Sequence, residues 1–511
     1  MTKTEQTHHG DVELMERTLG QLSQSQGTPS TQSTGAAALI AQRQIRNIAR
    51  CLSTSSQGDQ SSFDDTNAQL SALTRLCDQK FVAFSYNSIP LVWRAIYIDV
   101  QLLRACCALK AVGDVEHAAK ARCCIRDLDL ALIVAGAAST SKGQYCHNLI
   151  AALQSKLLEL GEQDHHRALQ GSDQSSPPRK RFKVTQPEHR KAPLSDSIQA
   201  DSLIQEYTFE EAPSFMEVAA RGSSSRGKPF IVRTYAQNSG WPAVPSESIN
   251  SGSSSWSSIE HLLRIAGPAR IVPVEVGANY SRKDWGQDLM LWSEFLSYCR
   301  WTEADQCGST SDVQVRLEPG SARPVLYMAQ HDLAAQFPAL ERDYMLPDYV
   351  YTSPSPTESW PGYQPPATHD GVVTNLWIGP AGTVSPPHYD PFYNCFVQAV
   401  GYKEVWVAPP HCCPRRKPAP SDHIFTKGAL HAGSGETSSL EDADAKGSIT
   451  DSLMVNTASI DVFDTVESVP PFVRLEAAKA ILGPGDLLYL PPGWWHSLRS
   501  LTRSFSVSTW F

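Results

Sequence analysis

The sequence holds no apolar run approaching the roughly 20 residues a membrane-crossing helix needs. No membrane association is therefore expected. Its opening residues, MTKTEQTHHGDVELMERTLG, contain no apolar block of the secretory kind. An excess of basic charge is also missing. Lys and Arg number 44 against 53 Asp and Glu, for a formal net charge of −9. That excludes a generally basic, DNA-coating protein and leaves room only for a local basic patch; direct sequence-specific nucleic-acid binding is not expected. The adjacent pairs Cys106-Cys107 and Cys123-Cys124 lack the Cys-x-x-Cys spacing by which two thiolates grip one metal. Both fall in helical patterns, where free cysteine packs as a small hydrophobe. With no secretory block, the 12 cysteines are expected to be reduced thiols inside the cell.

What is present points to more than one domain, since 511 residues exceed an ordinary single core. Residues 1–60 are rich in Ser, Gln, Thr and Gly and are expected to be mostly disordered, with helical spacing only over Ala36–Leu52. Residues 61–160 change character. In LVWRAIYIDVQLLRACCALKAVG, Val92, Ala95, Ile96, Val100, Leu103 and Cys107 recur at three- and four-residue steps, with Pro90 before and Gly113 after. VEHAAKARCCIRDLDLALIVAG and GQYCHNLIAALQSKLLELG repeat the behaviour. An all-α module of helical hairpins follows from this. It shows no catalytic constellation and reads as a scaffold or docking module for an unidentified partner.

Residues 161–204 are polar and proline-containing, as a disordered linker would be. Within them PPRKRFKV gathers Arg179, Lys180, Arg181 and Lys183, a run of nuclear-import type. A nuclear location is expected from it, with cytoplasm as a second compartment. From 205 to 511 short apolar strands alternate with Gly/Pro turns, the pattern of a double-sheet β structure with flanking helices. Residues 411–470 lapse into Ser, Gly, Thr and Asp and read as a long surface loop inserted between core strands.

The chemistry concentrates in GTVSPPHYDPFYNCFVQAVGYKEVWVAPP, residues 382–410, which reads as a strand, a tight turn and a second strand. His388 and Asp390 stand two apart, so on a strand both side chains point to one face. A third ligand is offered by His496, after the Pro-Pro-Gly of GDLLYLPPGWWHSLRS. Two histidines and one carboxylate on one face make the facial triad of non-haem iron(II) oxygenases, with positions left open for a co-substrate and dioxygen. Lys403, on the strand returning from that turn, would supply the cation for the far carboxylate of a bound 2-oxoglutarate.

NLWIGPAGTVSPPHYDPFYNCFVQAVGYKEVWVAPP together with LGPGDLLYLPPGWWHSLRS resembles the jumonji-C domains of the cupin-type 2-oxoglutarate oxygenases. RIVPVEVGANY, YMAQHDL, FPALERD and RSFSVSTWF are similar to one branch of that family, in the same order. The resemblance implies a double-stranded β-helix (cupin, jelly-roll) over residues 205–511, with iron(II) as cofactor and 2-oxoglutarate as co-substrate. It implies that His388, Asp390 and His496 bind the iron and that Lys403 pairs with the distal carboxylate. Tyr327, Ser385 and Asn394 match positions that hydrogen-bond the co-substrate. Glu275, Trp377 and Trp510 match positions lining the substrate pocket.

The resemblance further implies a protein or peptide substrate. One expectation is hydroxylation of a side chain, arginine foremost. The alternative is demethylation of methyl-lysine on a histone tail. Aspartate at 390, where many jumonji lysine demethylases carry glutamate, favours the hydroxylase. A non-catalytic jumonji scaffold is the third reading, and the intact iron and co-substrate positions count against it.

Overall fold

The computed structural model describes residues 3–24, 35–54, 60–84, 88–110, 115–170, 204–220, 227–244, 255–277, 285–301, 325–352, 354, 356–357, 360–412, 456–458, 461–463 and 476–511. The chain divides into two compact units, one of residues 1–185 with 266–271, the other of 186–265 with 272–511.

The first unit is helical: α1 (Lys3–Gln24), α2 (Ala36–Thr54), α3 (Gln60–Val82), α4 (Leu91–Lys110), α5 (Val115–Ile133) and α6 (Gly143–Gln170). The sequence expectation of a mostly disordered stretch over residues 1–60 is corrected here. Polar composition hid a thin apolar stripe. Met15, Leu19 and Leu22, at three- and four-residue steps, are buried in one core with Ile45, Ile48 and Leu52 of α2. Helices α4, α5 and α6 arise where the periodicity places them. The Pro90 carbonyl accepts the Trp93 N–H at the start of α4 (2.9 Å), and Gly136 takes the left-handed conformation (φ 73°) just beyond α5. Cys106, Cys107 and Cys124 lie buried in the same core. Burial pushes their thiols up, which suits packing and not metal ligation. The unit's buried charges are matched. Asp129 accepts three hydrogen bonds from the Arg270 guanidinium at 2.7–3.0 Å, and Asp99 pairs with Lys142.

The second unit is built on β1 (Gln205–Tyr207), β2 (Phe230–Val232), β3 (Ile271–Val276), β4 (Gly286–Leu291), β5 (Leu326–His331), β6 (Val373–Gly379) and β7 (Val384–Tyr389). It continues through β8 (Asn394–Val400), β9 (Lys403–Ala408), β10 (Ala478–Leu482), β11 (Leu487–Leu490), β12 (Trp495–Ser500) and β13 (Ser504–Trp510). The larger sheet runs β1-β2-β11-β8-β13-β6-β5-β3-β4 and the smaller β10-β9-β12-β7. Their inner faces share one core, in which Phe396, Leu488 and Leu490 of the larger sheet meet Val405, Val407 and Leu498 of the smaller. This is the double-sheet jelly-roll expected from the strand pattern. Helices Ile259–Ala266 and Trp292–Tyr298 form where the sequence places them.

Two expectations are corrected in this unit. Residues 382–410 form three strands, not two: β7, then β8, then β9. Lys403 therefore opens β9 and is not on the strand that returns from His388 and Asp390. The extra turn is at Gly401, whose φ is 75° and where a Cβ would stand 1.9 Å from the Arg503 carbonyl oxygen. Only glycine fits there. Secondly, the 411–470 stretch, expected as a surface loop, packs in part against the core where it is described, though His411 and Asp461 are exposed. Val462 and Phe463 are buried against Tyr389, Trp406 and Trp495, and Thr457 bridges to His388. The disordered linker expected over 161–204 is corrected at its start, since α6 continues through residue 170; residues 171–203, with the basic run, and most of the 411–470 insertion lie outside the described residues.

Candidate active site

Strand pairing brings the first cluster together. Antiparallel register sets His496 of β12 directly beside His388 of β7, with ring centroids 4.2 Å apart. Asp390 follows one residue after β7 ends, and its backbone carbonyl accepts the Gly493 N–H at 2.8 Å. His496 Nε2 lies 3.6 Å from Asp390 Oδ2, and one donor atom from each of the three residues falls within 4.8 Å of the others. Two ligand atoms about 2.0–2.2 Å from one ion stand about 3.0–3.4 Å apart, so a small contraction would seat a cation among them. Both imidazoles are oriented for it. His388 Nδ1 donates to the Pro386 carbonyl (2.8 Å) and His496 Nδ1 to the Trp494 carbonyl (3.1 Å). A carbonyl can only accept, so each Nδ1 carries a proton and each Nε2 is the nitrogen left for a metal. Burial, with a smaller contribution from His388, holds His496 well below the usual histidine range and so neutral. Burial raises Asp390, partly offset by His388; a bound cation would reverse that.

A second grouping, His411, Cys412 and Glu476, behaves differently. His411 and Glu476 are largely exposed and already hydrogen-bonded at 2.7 Å, too close for two ligands of one tetrahedral ion.

The three donors open onto a cavity between the sheets. Its walls include Tyr327, Trp377, Ser385, Asn394, Lys403 and Trp510, so six of the seven co-substrate and substrate positions expected from the sequence line one space. Lys403 is 1 % exposed. Its ammonium donates to the Tyr327 hydroxyl at 3.1 Å, and among the described residues no carboxylate lies within ion-pair distance. Burial lowers its pKa to about 7. The Phe396 and Tyr327 rings lie 5.3 and 5.5 Å from the Nζ, so this deep ammonium has neutral groups and no anion beside it, a site prepared for one. The indole N–H groups of Trp377 and Trp510 are buried and find no acceptor among the described residues.

Glu275 is the residue the structure does not bring to the cavity wall. It stands on β3 in register with Tyr327, and its carboxylate accepts the Trp285 indole N–H at 3.1 Å.

Sequence reasoning missed Ser508. Its hydroxyl donates to Asn394 Oδ1 at 3.0 Å, which turns the amide nitrogen of Asn394 away from that contact. The signal was available: Ser508 lies two residues from Trp510, on the same face of β13. Phe396, Leu490 and Leu498 complete the apolar part of the lining.

A family model described as a cupin-like domain matches residues 220–511. The chain is 32 % identical over 302 residues to Jumonji C domain-containing protein 5 of Drosophila melanogaster, covering 59 % of this chain and 58 % of that protein. It is 31 % identical over 286 residues to lysine-specific demethylase JMJ30 of Arabidopsis thaliana, covering 56 % and 50 %. To lysine-specific demethylase 8 of Xenopus tropicalis it is 31 % identical over 255 residues, covering 50 % and 44 %. The matches thus span about half the length of these curated relatives. The matched region contains β2 to β13, the cavity and the three candidate metal ligands, and on that ground the chain belongs to the family of cupin-like domains, where its relatives carry jumonji-C names.

Proposed function

We propose that this chain is an iron(II)- and 2-oxoglutarate-dependent oxygenase acting on a protein side chain. One observation carries the reading: two imidazoles and a carboxylate converge on a cavity that also holds a buried ammonium with no counter-ion among the described residues. The donor set suits iron(II), and the ammonium suits the far carboxylate of a dicarboxylic keto acid. When bound, the pair supplies oxidation of a C–H bond, with 2-oxoglutarate and dioxygen giving succinate, carbon dioxide and the hydroxylated product.

The protein's own contributions follow from its contacts. His388 and His496 present Nε2, held in direction by their Nδ1–H bonds to backbone carbonyls. Asp390 supplies the negative charge that makes the site selective for a cation. Lys403, Tyr327, Ser385 and Asn394 anchor the co-substrate, with Ser508 fixing the Asn394 amide. Phe396, Leu490 and Leu498 keep water from the buried end, which strengthens the Lys403 ion pair once made.

For the substrate we favour an arginine side chain hydroxylated on carbon. Trp377 and Trp510 give aromatic faces to a cation, and Asp390 is the acid typical of hydroxylases within the resemblance. The second reading, methyl-lysine demethylation, is favoured by the names of the Arabidopsis and Xenopus relatives. Incubation of purified protein with iron(II), 2-oxoglutarate and both peptide types decides between them by mass. An arginine peptide gaining about 16 Da supports hydroxylation; a methyl-lysine peptide losing about 14 Da, with formaldehyde released, supports demethylation. Absence of succinate under all conditions would refute both.

The basic run Arg179, Lys180, Arg181 and Lys183 supports a nuclear location for this activity. A fluorescent fusion should lose nuclear enrichment when the four become alanine; an evenly cytoplasmic wild type would refute it.

A further inference from the structure

The insertion between β9 and β10 reaches back to the strand that carries the candidate metal ligands. β7 lies at the end of the smaller sheet's order, so one edge of it has no partner among the named strands. Asn456–Ala458 covers that edge. The Tyr389 N–H donates to the Asn456 carbonyl (3.2 Å), the Ala458 N–H donates to the Pro387 carbonyl (2.7 Å), and Thr457 stands opposite His388. The Asn456 side chain adds a third bond, its Nδ2 donating to the Tyr389 carbonyl at 3.0 Å. Both backbone polar groups of Tyr389 are thus held by one residue, and Tyr389 is the residue between His388 and Asp390. Any rotation of the peptides on either side of Tyr389 would swing a ligand out of the cluster.

We infer that Asn456 is a positioning residue for the metal centre: it fixes the backbone of Tyr389 from outside the sheet and so sets the separation of His388 from Asp390. The inference rests on the oxygenase reading of that cluster. The physical basis is ligand pre-organisation. A carboxylate and an imidazole on a frayed strand end must be ordered when the ion binds, and that ordering lowers affinity. An edge strand without cover frays most readily. The insertion is therefore more than a loop between two core strands: three of its residues complete the sheet beside the site. Val462 and Phe463, a few residues on, anchor this cover in the apolar cluster around Tyr389 and Trp495.

The test uses the full chain and cobalt(II) or manganese(II) as the probe, read by titration without turnover. Wild type should bind one ion, and His388→Ala should not. Asn456→Ala and the equal-sized Asn456→Asp both remove the Nδ2 donor. Each should weaken metal affinity about 10- to 100-fold, the usual loss when a supporting hydrogen bond behind a ligand is removed. Hydrogen exchange at the Tyr389 and Asp390 amides of the metal-free protein should quicken in the same variants. A merely structural role would lower the melting temperature and leave the affinity of the folded protein unchanged. Wild-type affinity and wild-type exchange in Asn456→Asp overturn the inference while the oxygenase reading stands. Failure of the wild type to bind an ion overturns both.

Discussion

The helical unit and the β unit differ in how completely their buried charges are matched. In the helical unit Asp129 is fully buried, yet it meets the Arg270 fork through three hydrogen bonds, and the half-buried Asp127 pairs with Arg104 at 2.6 Å. The same rule holds over much of the β unit. Glu404 is bonded to Arg499 at 2.7 Å, and Asp343 accepts from Trp256 (2.9 Å) and pairs with His261 (2.7 Å). Among the described residues it fails at one place. Lys403 has a phenol for company, and His388, His496 and Asp390 crowd together around a gap. Folding alone gives no reason to keep an uncompensated ammonium in an apolar interior, since a hydrophobic residue of like volume would be as good or better. The departure from charge matching marks where something else must bind.

The strongest way to break that contrast is at the ligands. His388→Ala and Asp390→Ala should each abolish succinate formation and tight metal binding, because two remaining donors do not hold the ion. Normal succinate release by either variant would refute the metal assignment. Asp129→Ala probes the other side of the comparison. It leaves Arg270 buried without its anion and should cost about 3–5 kcal/mol, read as a lowered denaturation midpoint. Lys403→Met should do the reverse. The ligand-free protein should be as stable as wild type or more so, while the 2-oxoglutarate KM rises about 100-fold, the equivalent of about 2.8 kcal/mol. A destabilised Lys403→Met with unchanged KM would mean that the ammonium serves the fold.

Much of the site could be read from the letters because strand geometry converts spacing into direction. His388 and Asp390, two apart, specify a face without any coordinates. The helices at Leu91–Lys110 and Val115–Ile133 were legible for the same reason at a different period. Three things were not. Helix α1 buries so few apolar residues that its polar composition outweighed them. The break between β8 and β9 depends on a single left-handed glycine inside an otherwise strand-like run. Asn456–Ala458 joins β7 through backbone groups, which every residue but proline offers alike, so the sequence there carries almost no sign of pairing.

The finest test of the contrast is the pH dependence of the ligand-free protein. Burial lowers Lys403 from 10.5 to about 7. Between those values the unfolded chain binds a proton at this lysine that the folded chain does not. Stability must then rise with pH across that window, and the cost of charging Lys403 is felt in full below about pH 7. The slope for one such group is at most about 1.4 kcal/mol per pH unit, and less near pH 7, where the folded form is itself half protonated. Melting of metal-free wild type should therefore improve between pH 7 and 8.5 relative to Lys403→Met, which lacks the titrating group. Adding a dicarboxylate should cancel the difference, since an anion beside the ammonium restores its charge and draws a proton from solution on binding at pH 8. Calorimetry in buffers of different ionisation enthalpy measures that uptake directly. No proton uptake by wild type, or equal uptake by Lys403→Met, would show that the anion is bound elsewhere and that the unmatched lysine is not its counter-ion.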